Sequence, residues 1–181
     1  MERQLTFIAL FTALIAALGF LPSFMLPFGV PITAQNLGVM LAGAVLGARR
    51  GALSVLLFLA LVAMGLPLLA GGRGGLGVFA SPTVGFVVGF PIAAFVTGLI
   101  VEKWKAGNLF VVGTAASIIG CIVVLYAFGI FGLAKMIDKS LLEATQLCLV
   151  YIPGDVIKAV VAGVVVEAIA RARPAALLSR G

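Results

Sequence analysis

The strongest constraint on this chain is its succession of long apolar runs, broken only by short connections of Pro, Gly and a few charges. A helix needs about 20 apolar residues to cross a hydrocarbon core of about 30 Å. Six runs approach that length, at about residues 5–21, 32–48, 52–69, 82–101, 109–133 and 152–170. In hydrocarbon every backbone N–H and C=O needs an internal partner, so such runs fold as helices packed on one another. The expectation is an all-α integral membrane protein, with six transmembrane helices forming a single domain over residues 1–181. Composition agrees, with 63% hydrophobic and 10% charged residues, against about 25% charged in a soluble domain. The amino-terminal run reads as a first membrane helix rather than a cleaved leader, because further runs follow it and no small-residue cleavage pattern does.

The formal net charge of +6 would suggest nucleic acid in a soluble protein. Here the cations stand between apolar runs, where they act as topology determinants among membrane lipids, so no nucleic-acid partner is expected. Arg3, Arg49, Arg50, Lys103, Lys105, Arg171, Arg173 and Arg180 fall on the side shared by both termini. Arg73, Lys135 and Lys139 fall on the other, and Lys158 lies within the sixth run. The positive-inside rule then predicts cytoplasmic termini and an external loop around Arg73, in a multi-pass protein of a plasma membrane.

Several chemistries are disfavoured. His is absent, which removes the commonest general base and the imidazole metal ligand. Cys121 and Cys148 lie in or beside apolar runs without metal-ligand spacing and read as buried thiols. No nucleophile stands beside a recognisable base, so the chain is expected not to be an enzyme and to need no metal or cofactor. No glycine-lysine phosphate loop is present either, so any use of ATP must belong to partner subunits.

Polar groups inside or at the ends of apolar runs carry the remaining information. Pro31 suits the first turn of the second helix. Gln35 and Asn36 follow it and must either line a site or bond to a cap or another helix. Arg49 and Arg50 close that span. The segment Gly71-Gly72-Arg73-Gly74-Gly75 is too glycine-rich for a helix, and Ser81-Pro82 reads as an N-cap and first helical residue, with Thr83 next. Arg73 near a helix start and free glycine amides suits a carboxylate, or is simply solvated. Pro153 sets the start of the last helix and puts Asp155 and Lys158 at i and i+3 on one face, as a structural ion pair or as a polar clamp. Alternating helix directions bring these groups to one depth, so a shared outward-facing pocket is expected. Phe79, Phe86 and Tyr151 stand at helix ends as interface anchors or as cover for an apolar ligand moiety. Ala9, Ala13 and Ala17 recur every four residues and make a flat strip on the first helix, suited to close approach of another helix.

Three of these segments together, Pro31-Ile32-Thr33-Ala34-Gln35-Asn36, the glycine loop with Ser81-Pro82-Thr83-Val84-Gly85-Phe86, and Ile152-Pro153-Gly154-Asp155-Val156-Ile157-Lys158-Ala159, resemble the BioY family. Its members are biotin-specific substrate-binding subunits (S components) of energy-coupling factor transporters. The resemblance implies a six-helix subunit of a prokaryotic inner membrane that captures biotin from outside. It also implies partners, namely one transmembrane coupling protein and two ATPase subunits that alone use ATP. Asp155 and Lys158 carry over as ligand contacts, and Ala9, Ala13 and Ala17 as the contact to the coupling protein. The chain departs from the family pattern in having Arg73 at the centre of the loop and Val87 where some relatives have a basic residue, which implies that the carboxylate contact has moved to Arg73. A self-sufficient carrier of biotin or a similar small carboxylate vitamin is the alternative.

Overall fold

The computed structural model describes residues 2–181. Its long elements are α1 (Glu2–Gly19), α2 (Gln35–Leu46), α3 (Ala48–Ala63), α4 (Val84–Lys103), α5 (Leu109–Ile118), α6 (Leu125–Met136), α7 (Leu141–Cys148) and α8 (Ile152–Ala172). A π-turn, Ile119–Val124, joins α5 to α6 without a break, and a short 3-10 turn, Leu149–Tyr151, runs α7 into α8. Four helical stretches, Glu2–Gly19, Val84–Lys103, Leu109–Met136 and Leu141–Ala172, are long and apolar enough to cross a membrane. Between α1 and α2 lies a small antiparallel ribbon, β1 (Phe24–Met25) paired with β2 (Pro31–Ile32).

The architecture is organised around α2. Nearly all of its residues are buried, and it packs against α1, α3, α4 and α8. A helix enclosed by protein has its environment set by its neighbours rather than by lipid, so it need not match the bilayer thickness that an exposed helix must. Small residues let the helices approach closely. A Cβ at Gly163 of α8 would lie 2.6 Å from the Phe110 carbonyl of α5, and one at Gly98 of α4 would lie 2.7 Å from Ala48 Cα of α3. The core contains Ile15, Met40, Phe58, Leu125 and Leu133, all inaccessible or nearly so, and both free thiols, Cys121 and Cys148, are buried.

Three local expectations are corrected. Pro31 is not in a helical first turn. It pairs with Met25 in the ribbon, where a residue without an N–H is tolerated at an edge, and α2 begins only at Gln35, whose N–H donates to Thr33 Oγ1. Arg49 and Arg50 do not close the second span. The chain reverses at Gly47, with φ of 86°, and the arginines lie in the first turn of α3, whose Ala48 N–H is capped from α4 by Glu102 Oε1 at 2.9 Å. Ser81 does not cap α4, because its hydroxyl donates to the Val78 carbonyl of the preceding 3-10 turn. That helix begins at Val84, preceded by Thr83 in helical conformation with no side-chain cap.

The carboxy-terminal segment folds back beneath one end of the bundle. Ser179 Oγ and N donate to the carbonyls of Ala44 and Val45, which stand in the last turn of α2 and lack intrahelical partners. Arg50 reaches Leu178 O, Arg180 reaches Trp104 O, and Arg3 reaches Ala175 O. Four helices are thereby tied together at that end. The opposite end holds a cavity.

Candidate functional site

The cavity and the open solvent at its mouth together make about 590 Å³ of empty space. Its walls come from the ribbon, the start of α2, the glycine loop, α4, the start of α6 and the start of α8. Gln35, Asn36, Arg73, Thr83, Phe86, Tyr151, Asp155 and Lys158 all line it, so the structure brings these sequence candidates together. Phe79 is not among the lining residues. It sits in the turn Leu76–Ala80 and packs against the hydrophobic core, because the 3-10 conformation after Gly75 turns that residue toward the bundle. Ala9, Ala13 and Ala17 lie on α1 away from the cavity, and all three are exposed.

At the α8 side Asp155 is 5% exposed and is held by two donors. Lys158 Nζ lies 2.8 Å from Oδ1, and the Tyr126 hydroxyl lies 2.7 Å from Oδ2. The i, i+3 spacing within one helix turn brings Lys158 onto the Asp155 face, and Pro153 fixes the start of that turn. Aromatic edges brace the group: Phe86 meets the Tyr126 ring at 6.1 Å and the Tyr151 ring at 6.5 Å, both edge to face. Tyr151 is fastened in turn by its hydroxyl to Val30 O at 2.8 Å. The result is a largely buried charged pair braced by aromatic rings, a setting in which donors and acceptors act more strongly than in water.

On the loop side Arg73 is positioned by backbone. Leu69 and Arg73 exchange N–H···O bonds of 3.0 and 3.2 Å across a tight turn, and Gly71 and Gly72 in that turn have φ of 78° and 69°. Only glycine adopts such values without strain, which is why this stretch is so rich in it. Arg73 Nε donates to Ala70 O, and Nη1 donates to Thr83 Oγ1. A guanidinium has five N–H donors, so three are left for a ligand. Burial pulls the Arg73 pKa below the ordinary arginine value, although a guanidinium stays charged at neutral pH.

Gln35 and Asn36 play different parts. Gln35 is 1% exposed. Its amide donates to Leu68 O at 2.9 Å and Ile15 O at 3.2 Å, and it accepts from Ala70 N at 2.9 Å. It therefore pairs with the loop as a neighbouring strand would, and ties the Arg73 turn to α1 and α2. Gln35→Leu is expected to lower stability by about 1–3 kcal/mol through unpaired buried backbone groups, read as a lower midpoint in thermal unfolding in detergent. Asn36 donates to Cys121 O at 3.4 Å, and its Oδ1 is buried without a partner.

Tyr126 is the site residue that the sequence reading missed. The available signal was a phenol inside an otherwise apolar run, since a buried hydroxyl in hydrocarbon requires a partner.

The chain is similar to known proteins. The model of the BioY family matches residues 2–175. The chain is 55% identical over 190 aligned positions to the biotin transporter BioY of Rhodobacter capsulatus, with 100% of both chains covered. It is 44% identical over 155 positions to a probable biotin transporter BioY of Bacillus subtilis, covering 85% of this chain and 83% of the relative. Its fold matches a 2.1 Å crystal structure of the S-component for biotin from an ECF-type ABC transporter. The TM-score is 0.88 and the identity 34%, over 94% of this chain and 92% of that one. The family model and the Rhodobacter capsulatus relative both span the ribbon, the glycine loop and the Asp155–Lys158 turn, and the chain belongs to the BioY family.

Proposed function

We propose that this chain is the biotin-capturing S component of an ATP-driven ECF-type importer and performs no covalent chemistry. The observation that carries the reading is the pairing of a donor-and-acceptor end, Asp155 with Lys158, and a cationic end at Arg73 in the lining of one cavity. Biotin offers two ureido N–H donors, one ureido oxygen, an apolar ring and chain, and a carboxylate. Asp155 accepts from a ureido N–H, Lys158 donates to the ureido oxygen, Phe86 and Tyr151 cover the apolar part, and Arg73 with Thr83 holds the carboxylate. Gln35 supports the loop and Asn36 lines the same wall.

The proposed membrane arrangement has six spans in a prokaryotic inner membrane, both termini cytoplasmic and the cavity facing outward. Charge supports it: Arg3, Arg50 and Arg180 meet at the end opposite the cavity, where the positive-inside rule puts the cytoplasm. The exposed strip of Ala9, Ala13 and Ala17 is the proposed seat for the coupling protein, with two ATPase subunits beyond it. The buried ion pair also fits a self-sufficient carrier in which protonation drives release. Uptake by the chain alone in ATP-free liposomes supports that carrier, and dependence on added coupling and ATPase subunits supports the importer. Calorimetry of the folded, detergent-purified protein is expected to show saturable 1:1 binding of biotin. A flat titration rejects the assignment.

A further inference from the structure

We infer that Tyr126 is a positioning residue for ligand capture, its phenol holding the Asp155 carboxylate in register with the cavity. The inference rests on the biotin-binding reading for its ligand, and on geometry alone for the Tyr126–Asp155 link.

The π-turn resets the buried face of a long helix. In α5 the inward residues include Val112 and Ala116. An unbroken α-helix repeats every 3.6 residues and would turn Val123 and Ala127 inward on the same face. Both are exposed, whereas Leu125, which an unbroken helix would turn to the opposite side from Val112, is buried. The cause is visible in the backbone: the Leu125 N–H reaches back five residues to Gly120 O, which inserts the extra residue that defines a π-turn. The Cys121 carbonyl, passed over by Leu125, is the one that accepts from Asn36. Small side chains make room for the turn, since a Cβ at Gly120 would lie 2.7 Å from Ala93 O of α4.

The chemistry explains why a phenol is needed at that position. A carboxylate has about four acceptor sites on its two oxygens. Lys158 takes one on Oδ1 and Tyr126 takes one on Oδ2, which leaves the rest for ligand N–H groups. The lysine sits on a flexible four-carbon stem and can swing to a ligand carbonyl. Tyr126 is fixed by its ring against Phe86, so it keeps the carboxylate oriented when Lys158 leaves.

Tyr126→Phe keeps the ring and removes only the donor. It is expected to weaken biotin binding about tenfold by calorimetry. In the Asp155→Asn background the same change is expected to have no further effect, because the residue acts through Asp155. Unchanged affinity of Tyr126→Phe, or penalties that multiply in the double variant, overturns the inference. A second readout needs no ligand. The infrared carboxylate stretch of Asp155, identified by subtracting the Asp155→Asn spectrum, is expected to shift in Tyr126→Phe, and an unmoved band overturns the link. If the wild-type protein binds no biotin while the band does shift, the functional assignment fails and the positioning of Asp155 stands.

Discussion

Asp155→Asn is expected to lower biotin affinity by about three orders of magnitude, or ~4 kcal/mol at 1.4 kcal/mol per tenfold. The substitution is nearly isosteric, so the loss is electrical. Asp155 offers a ligand N–H an ionised acceptor inside a wall that excludes water, and truncating one partner of a buried charged contact costs about 2–5 kcal/mol. It also leaves the Lys158 ammonium, with its side chain only 19% exposed, without a counter-charge. Lys158→Met is the mirror change. It strands the Asp155 carboxylate, and breaking a buried pair from one side costs about 3–5 kcal/mol of stability.

The double variant separates the two roles that the sequence leaves open for this pair. Asp155→Asn with Lys158→Met removes both charges, and a buried pair replaced by neutral groups of similar size is often close to neutral for stability. Thermal unfolding in detergent is therefore expected to return toward wild type, while calorimetry with biotin shows no recovery. Recovery of both would make the pair purely structural. Recovery of stability alone makes it a clamp.

The Asp155–Lys158 pair was legible because its geometry is local. Two charges three residues apart just after Pro153 must share a helix face, whatever the tertiary structure does. The Arg73 loop was legible for a similar reason, since the density of glycine at 71–75 signals left-handed backbone, and Gly71, Gly72 and Gly75 all have positive φ. What such patterns do not carry is partner choice. Ser81 has the residue type of an N-cap, yet the turn before it takes the hydroxyl. Gln35 is recognisable as a polar group in need of partners, but its pairing with Leu68 and Ala70 depends on how the loop lands on α2. Tyr126 failed for a different reason. A single phenol in a long apolar run announces a need for a partner but does not name it, and the partner is Asp155 on another helix. Phe79 is the converse case, an aromatic near a helix start that the 3-10 turn packs against the core instead of into the cavity lining.

Arg73→Ala is expected to weaken biotin binding about a hundredfold, or ~2.8 kcal/mol at 1.4 kcal/mol per tenfold, and to leave the fold intact. The loop does not depend on the side chain, because its closure comes from the Leu69–Arg73 backbone pair, from Gly75 N to Val62 O at 2.8 Å, and from Gln35. The ligand is expected to depend on it, because a guanidinium with three unused N–H groups in a half-buried position gives a carboxylate the forked contact that a solvated arginine does not. A ligand without the negative charge separates the contact from a lid. Biotinamide keeps the ureido ring and chain but presents a neutral amide where biotin presents a carboxylate. If Arg73 holds the carboxylate, wild type should prefer biotin over biotinamide by a wide margin, and Arg73→Ala should bind the two about equally. If the loop only covers the cavity, the substitution weakens both ligands by the same factor and the preference survives. Arg73→Lys sharpens the distinction further: a point charge without the fork is expected to restore part of the preference, whereas a lid that works by bulk alone would gain nothing selective for the carboxylate.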